Sequence, residues 1–213
     1  MPELAPVLAA CGISVAAPIT VETEAAAGDA ASHMGFPVAL KIVSPEISHK
    51  TELGGVRLGL ATPAEVVDAA RSMRERVGRA RPDARITGFA LQPMVAPGIE
   101  MLLGSVRDPQ FGPLVMVGFG GIYVEIFRDT ATRLAPVDAT EARAMLDELR
   151  LAALLHGARG HPAVDLLSLV DTIARFSRLV VDEPALTELE INPLVVSASG
   201  VIAVDARAAL AAG

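Results

Sequence analysis

Hydrophobic positions along the chain change period repeatedly, and each change marks the border of an element. Val38-Ala39-Leu40-Lys41-Ile42-Val43 is a compact apolar run behind a Gly35-Phe36-Pro37 break, which predicts a strand over residues 37–43. Residues 56–60 read as its antiparallel partner across a polar loop at 44–55. Thr62-Pro63-Ala64-Glu65 then supplies an N-cap, a proline in the first turn and an acid at N3. Val66, Ala69, Ala70, Met73 and Val77 continue that helix along one face. Further helices are expected at residues 3–10, 23–34, 140–149 and 164–179. Strands are expected at 13–16, 86–94, 100–106 and 113–119, with short extended pieces at 123–127 and 132–134. Residues 78–83, 96–98 and 107–109 read as turns, and a hairpin of 188–193 and 195–196 with 201–205 finishes the pattern. Strands alternating with helices make this an α/β protein, with a lobe border near Gln92-Pro93.

Composition narrows the class. The 213 residues are 52% apolar, with no Trp and one Tyr, so the core rests on aliphatic side chains. Eighteen basic against 25 acidic residues give a net charge of −7. That balance argues against nucleic-acid or anionic-membrane partners, which need basic surface. One cysteine excludes an intramolecular disulfide and suits a reducing compartment. Leu8-Ala9-Ala10-Cys11 matches a lipoprotein cleavage box only superficially, with no Lys or Arg and too little chain before it. No apolar run reaches membrane-spanning length, so the expectation is a soluble, cytoplasmic protein.

Three clusters carry candidate chemistry. Lys41 interrupts an apolar strand, which fits either a lysine reaching for water or one paired with an anion. The loop behind it, Ser44-Pro45-Glu46-Ile47-Ser48-His49-Lys50-Thr51-Glu52-Leu53-Gly54-Gly55, sets a His beside a Lys and ends in two glycines. Glycine allows backbone N–H groups to approach phosphate closely, although no Walker A pattern is present. Alternation places Glu188, Glu190 and Asn192 on one strand face, with Asp205 following on a paired segment. Such oxygen donors suit Mg²⁺, and equally a solvated strand face. Gly118-Phe119-Gly120-Gly121 reads as a turn, with Glu100 and Glu125 interrupting neighbouring strands.

Taken in order, these segments resemble the ATP-grasp subunit of ADP-forming acetate–CoA ligases and, more distantly, of succinyl-CoA synthetase. The resemblance runs through Gly35 to Lys41, the 44–56 loop, Gln92-Pro93-Met94-Val95, Gly98-Ile99-Glu100 and residues 118–129. It continues through Arg133-Leu134-Ala135-Pro136, Gly157-Ala158-Arg159-Gly160, Glu190-Ile191-Asn192-Pro193-Leu194 and Val204-Asp205-Ala206-Arg207. His-Lys-x-x-x-Gly-Gly together with Glu-Ile-Asn-Pro is the specific part.

The resemblance implies an ATP-grasp fold over residues 1–213, with nucleotide held between two α+β lobes. Approximate lobes are 20–91 and 92–213, with 1–19 packing as an N-terminal helix and strand. It implies ATP or ADP with Mg²⁺: Lys41, Gly54 and Gly55 at the phosphates, Gln92, Met94 and Val95 along the base, and Glu100 at the nucleotide. Glu190, Asn192 and Asp205 are the implied metal ligands, and His49 the implied phosphoryl carrier. The implied reaction is acyl-CoA + ADP + phosphate = carboxylate + ATP + CoA. Its CoA-binding and ligase domains would lie in a separate α subunit or in the same longer polypeptide. The alternatives are a regulatory ATP-grasp-like domain of a protein lysine acetyltransferase, or another ATP-grasp carboxylate ligase.

Overall fold

The protein is described by a computed structural model that covers residues 3–47, 50–121, 129–158 and 162–211. It divides into two compact units, residues 17–94 and residues 3–16 together with 95–211. Each has its own sheet and its own apolar core.

The unit of residues 17–94 is a four-stranded antiparallel sheet with two helices on one face. Its strands are β1 (Ile19–Val21), β2 (Val38–Val43), β3 (Val56–Leu60) and β4 (Gly88–Pro93), in the order β1-β4-β2-β3. With α1 being Ala5–Ala10, its helices are α2 (Glu24–Met34) and α3 (Pro63–Ala80). Thr23 and Thr62 cap α2 and α3, their hydroxyls accepting from the Ala26 and Glu65 amides. Val38, Leu40 and Ile42 of β2 and Phe89 and Leu91 of β4 face the helices, where Val66, Ala70, Met73 and Val77 meet them. The alternation leaves Ala39, Lys41, Ala90 and Gln92 on the other face, with Ala39 opposite Gln92 and Lys41 opposite Ala90.

The other unit is a six-stranded antiparallel sheet. Its strands are β5 (Ile99–Asp108), β6 (Gly112–Phe119), β7 (Thr130–Leu134), β8 (Leu186–Ser197), β9 (Gly200–Ala203) and β10 (Ala206–Leu210). They run β10-β8-β5-β6-β7, with β9 also on β8. Helices α4 (Ala139–Asp147) and α5 (Leu166–Asp182) bury one face, where Met101, Leu103, Val117, Phe119, Leu189 and Ile191 pack with Met145, Ile173 and Phe176. Residues 3–16 belong here because Leu8 and Ile13 enter the same core.

Several expectations shift. Residues 13–16 form no strand but a single parallel bridge, Val15 to Ala203, flanked by Ala16 N–H to Ala203 O at 2.9 Å and Ala203 N–H to Ser14 O at 2.8 Å. The 107–109 turn lies further on: β5 runs through Asp108, whose Oδ1 accepts from the Gln110 and Phe111 amides at 2.7 and 2.9 Å. Asp138 rather than Thr140 starts α4, through a capping box with Glu141. Strands β1 and β10 were not anticipated. The extended piece expected at 123–127 lies outside the described residues.

Candidate active site

The polar loop at 44–55 is tightly tied on both sides of its expected carrier, although His49 itself lies outside the described residues. Before it, the Ser44 hydroxyl and the Arg85 amide donate to Glu46 Oε2 at 3.0 and 3.2 Å, and Ile47 is buried. Hydrogen bonds from its own backbone amide and from the Ser44 hydroxyl hold the Glu46 carboxyl below the usual range. After it, Gly54 N–H donates to Thr51 O at 3.0 Å, Gly55 N–H to Lys50 O at 2.7 Å, and Ile42 N–H to Gly55 O at 2.8 Å.

Both glycines have steric reasons to be there. Gly54 sits at φ +67°, under the Arg76 guanidinium, where an added Cβ would come within 2.6 Å of Nη1. A Cβ on Gly55 would lie 2.8 Å from Ile42 Cγ2 and 3.0 Å from Lys50 O. In this conformation the Gly54 and Gly55 amides, the expected phosphate donors, are turned to Thr51 O and Lys50 O. Their N–H groups close the loop, and the glycines shape it.

Lys41 and Gln92 lie diagonally on the face of the 17–94 sheet that its helices leave open, Lys41 half-buried and Gln92 buried. Met94 is exposed, its N–H donating to Pro37 O at 3.1 Å, and Val95 follows as the first residue of the next unit.

In the 95–211 unit, alternation along β8 leaves Glu188, Glu190 and Asn192 exposed between buried Leu189 and Ile191. Asn192 Nδ2 donates to Glu190 Oε1 at 3.1 Å, which leaves the Asn192 carbonyl oxygen as an acceptor. Asn192 N–H donates to Asp205 O at 3.0 Å, which draws the backbone of Asp205 beside that face. The structure thus sets Glu190 and Asn192 side by side with the backbone of Asp205 next to them, while Asp205 Oδ1 accepts from the Ala206 amide at 3.0 Å. These three residues are oxygen donors, two carboxylates and one side-chain amide, a set that suits a hard divalent cation retaining several waters. Among the described residues no group of three His, Cys, Asp or Glu side chains could hold a metal.

Glu100, at the start of β5, stands over the Gly120-Gly121 turn. Gly120 N–H donates to Glu100 O at 2.7 Å, and a Cβ on Gly121, at φ +59°, would lie 2.8 Å from Glu100 Oε2. These residues border a cleft of about 580 Å³ that Gly98, Ser197 and Val164 also line. Sequence reasoning missed Asp129. It is 6% exposed, and its two carboxylate oxygens accept from the Arg150 and Leu151 amides at 2.9 and 3.0 Å, holding the segment after α4. Its only signal was its place at the end of the 118–129 motif.

The sequence matches the ATP-grasp domain family over residues 1–210. It is 37% identical over 206 residues to the beta subunit of acetate–CoA ligase [ADP-forming] I of Pyrococcus furiosus, covering 97% of this chain and 89% of that one. The chain belongs to this ATP-grasp family. Acetate–CoA ligase [ADP-forming] I of Archaeoglobus fulgidus is 40% identical over 205 residues, which are 96% of this ATP-grasp chain but 30% of that relative. Among solved structures, acetyl-coenzyme A synthetase 1 of Ca. Korarchaeum cryptofilum with coenzyme A, Ca-AMPCP and HgCl+ superposes with a TM-score of 0.93. It is 39% identical to the ATP-grasp chain, covering 97% of this chain and 90% of that one. A second structure of that synthetase holds coenzyme A and Mg-AMPPCP, with its phosphohistidine segment pointing towards the nucleotide binding site. There the TM-score is 0.84 at 36% identity, covering 99% of this chain and 92% of that one. Mixed helix and antiparallel sheet is thus the ATP-grasp architecture of this family. No helix among the described residues is long and apolar enough to cross a membrane.

Proposed function

We propose that this chain is the nucleotide-binding, phosphoryl-transferring part of an ADP-forming acyl-CoA synthetase. The observation that carries the reading is the Glu190, Asn192 and Asp205 set on the open face of an ATP-grasp sheet. Lys41 binds nucleotide phosphate, Gln92, Met94 and Val95 border the base, and Glu100 contacts the nucleotide. Glu190, Asn192 and Asp205 hold Mg²⁺, which neutralises phosphate charge when bound.

His49 is the carrier in this reading. In the ATP-consuming direction its neutral imidazole nitrogen forms a bond to the γ-phosphorus of ATP. The bond from that phosphorus to the β,γ-bridging oxygen breaks, and its electron pair leaves with ADP. CoA-binding and ligase domains, on a separate subunit or further along a longer chain, complete the thioester chemistry. The relatives support either arrangement, since the chain covers 89% of one and 30% of another.

The test combines titration calorimetry with radiolabel transfer from γ-labelled ATP. The parent should bind Mg·ATP in the micromolar to millimolar range, roughly −8 to −4 kcal/mol. His49→Ala should bind it equally well and take up no label, while Asn192→Ala with Asp205→Ala should lose the Mg²⁺ dependence. Labelling of His49→Ala as fast as the parent rejects the carrier. Absence of any heat or thermal shift at millimolar nucleotide rejects the nucleotide site.

A further inference from the structure

Arg207 stands directly across from Glu190 in the β10–β8 register, so the two side chains leave the same face of the sheet. Opposite charges at that spacing ordinarily pair. Other opposite charges brought close in the chain, in helices and across loops, do so: Arg74 with Glu24, Arg81 with Asp83, Arg133 with Glu148, and Arg143 and Arg175 with Asp147 and Asp171. Arg207 does not. It is exposed, and among the described residues it makes no ion pair, while the Glu190 carboxylate takes its hydrogen bond from the Asn192 amide instead. A guanidinium is thus held beside a cluster of oxygen donors without being neutralised by it.

The surroundings give that cation a use. Asp205 lies two residues before it, and Glu190 and Asn192 lie on the adjacent strand. A divalent cation on this set gains nothing from a neighbouring positive charge. The two cations become compatible when an anion lies between them, accepting the metal on one oxygen and the guanidinium on others. A terminal phosphoryl group has that form, with three oxygens for a planar fork of N–H donors.

We propose that Arg207 contacts the terminal, transferable phosphoryl group of ATP, and that it is a catalytic residue of this site. The inference rests on the metal and nucleotide reading above and adds a residue to it. As the bond to the bridging oxygen breaks, its electron pair goes to ADP and the phosphoryl oxygens retain their charge. A fixed guanidinium stabilises that charge without moving a proton.

The experiment measures affinity for Mg·ADP and for a non-hydrolysable Mg·ATP analogue by titration calorimetry, in the parent, Arg207→Gln and Arg207→Lys. Arg207→Gln should weaken the ATP analogue about 10- to 100-fold, as loss of a charged hydrogen bond does. It should leave ADP within about twofold of the parent, because ADP has no γ-phosphoryl group to lose. Arg207→Lys, which keeps the charge but loses the fork, should fall between. Equal weakening of both nucleotides, in either variant, or no weakening of the ATP analogue overturns the assignment. Melting curves identify a destabilised Arg207→Gln, in which case Arg207→Lys decides by the same ratio. A parent that binds neither nucleotide fails the underlying reading, whereas a parent that binds both with unchanged discrimination in the variants fails this inference alone.

Discussion

The Asp165 carboxylate caps α5, accepting from the Ser168 amide at 3.0 Å and the Ser168 hydroxyl at 2.6 Å. The hydroxyl first, and then the amide, holds its pKa below the ordinary aspartate value. The stability it contributes is therefore present above the unfolded-state pKa of about 4 and is lost as pH falls through the lower folded value. Asp165→Asn keeps an acceptor and removes the charge. Its deficit in melting temperature should be full at about pH 7 and shrink towards about pH 3, and a deficit constant across that range by calorimetry would mean the charge is irrelevant. At the same scale, the site was only partly legible. The alternation of Glu188, Glu190 and Asn192 is a direct reading of strand period, and the exposed face bears it out. The engagement of the Gly54 and Gly55 amides inside their own loop was not readable. It depends on Arg76 and Ile42, remote in sequence, coming to lie against them.

Among the elements, α5 owes its end to a residue on a strand. The Arg107 guanidinium donates to the carbonyls of Val180 at 2.6 Å, Leu186 at 3.1 Å and Glu183 at 3.4 Å. Those oxygens at and beyond the helix C-terminus lack intrahelical donors, and a cation there also complements the helix dipole. Arg107→Ala should cost about 1–3 kcal/mol in urea unfolding, and Arg107→Lys should restore part of it, because one ammonium reaches fewer of these carbonyls. Equal stabilities for Arg107→Ala and the parent would deny the clamp any role.

Elements with local punctuation were the ones the sequence disclosed. Helix α3 opens at Thr62 with Pro63 and Glu65, and the Thr62 hydroxyl accepts from the Glu65 amide as that pattern requires. Strand β1 has only three residues and no periodicity to display. Strand β10 reads Ala-Arg-Ala-Ala-Leu, a helix-favouring composition, and is extended because β8 offers it a ladder. Residues 13–16 show the reverse case, a β-branched run left with a single bridge.

For the whole molecule, the two cores are separate sets of side chains, one around Phe89 and one around Phe119 and Phe176. Phe89→Ala and Phe176→Ala should each cost about 3–5 kcal/mol. Hydrogen exchange should locate the damage: Phe89→Ala should speed exchange within residues 17–94 and leave the β5, β6 and β8 amides protected. Uniform acceleration across both units would show that one cooperative core governs the chain.

Residues 17–94 interrupt a unit whose first piece is residues 3–16. That arrangement has a consequence during synthesis. The backbone of Ala16 pairs with Ala203, and at ribosomal speed the second arrives roughly 10–40 s after the first. A small α/β domain folds within milliseconds to seconds, so the inserted unit is complete long before that partner exists. Leu8 and Ile13, fully buried in the finished protein, must wait on the nascent chain with their apolar side chains in water. The 3–16 segment is thus made before the rest of its unit and placed only after it, and that interval is when a chaperone would have something to hold.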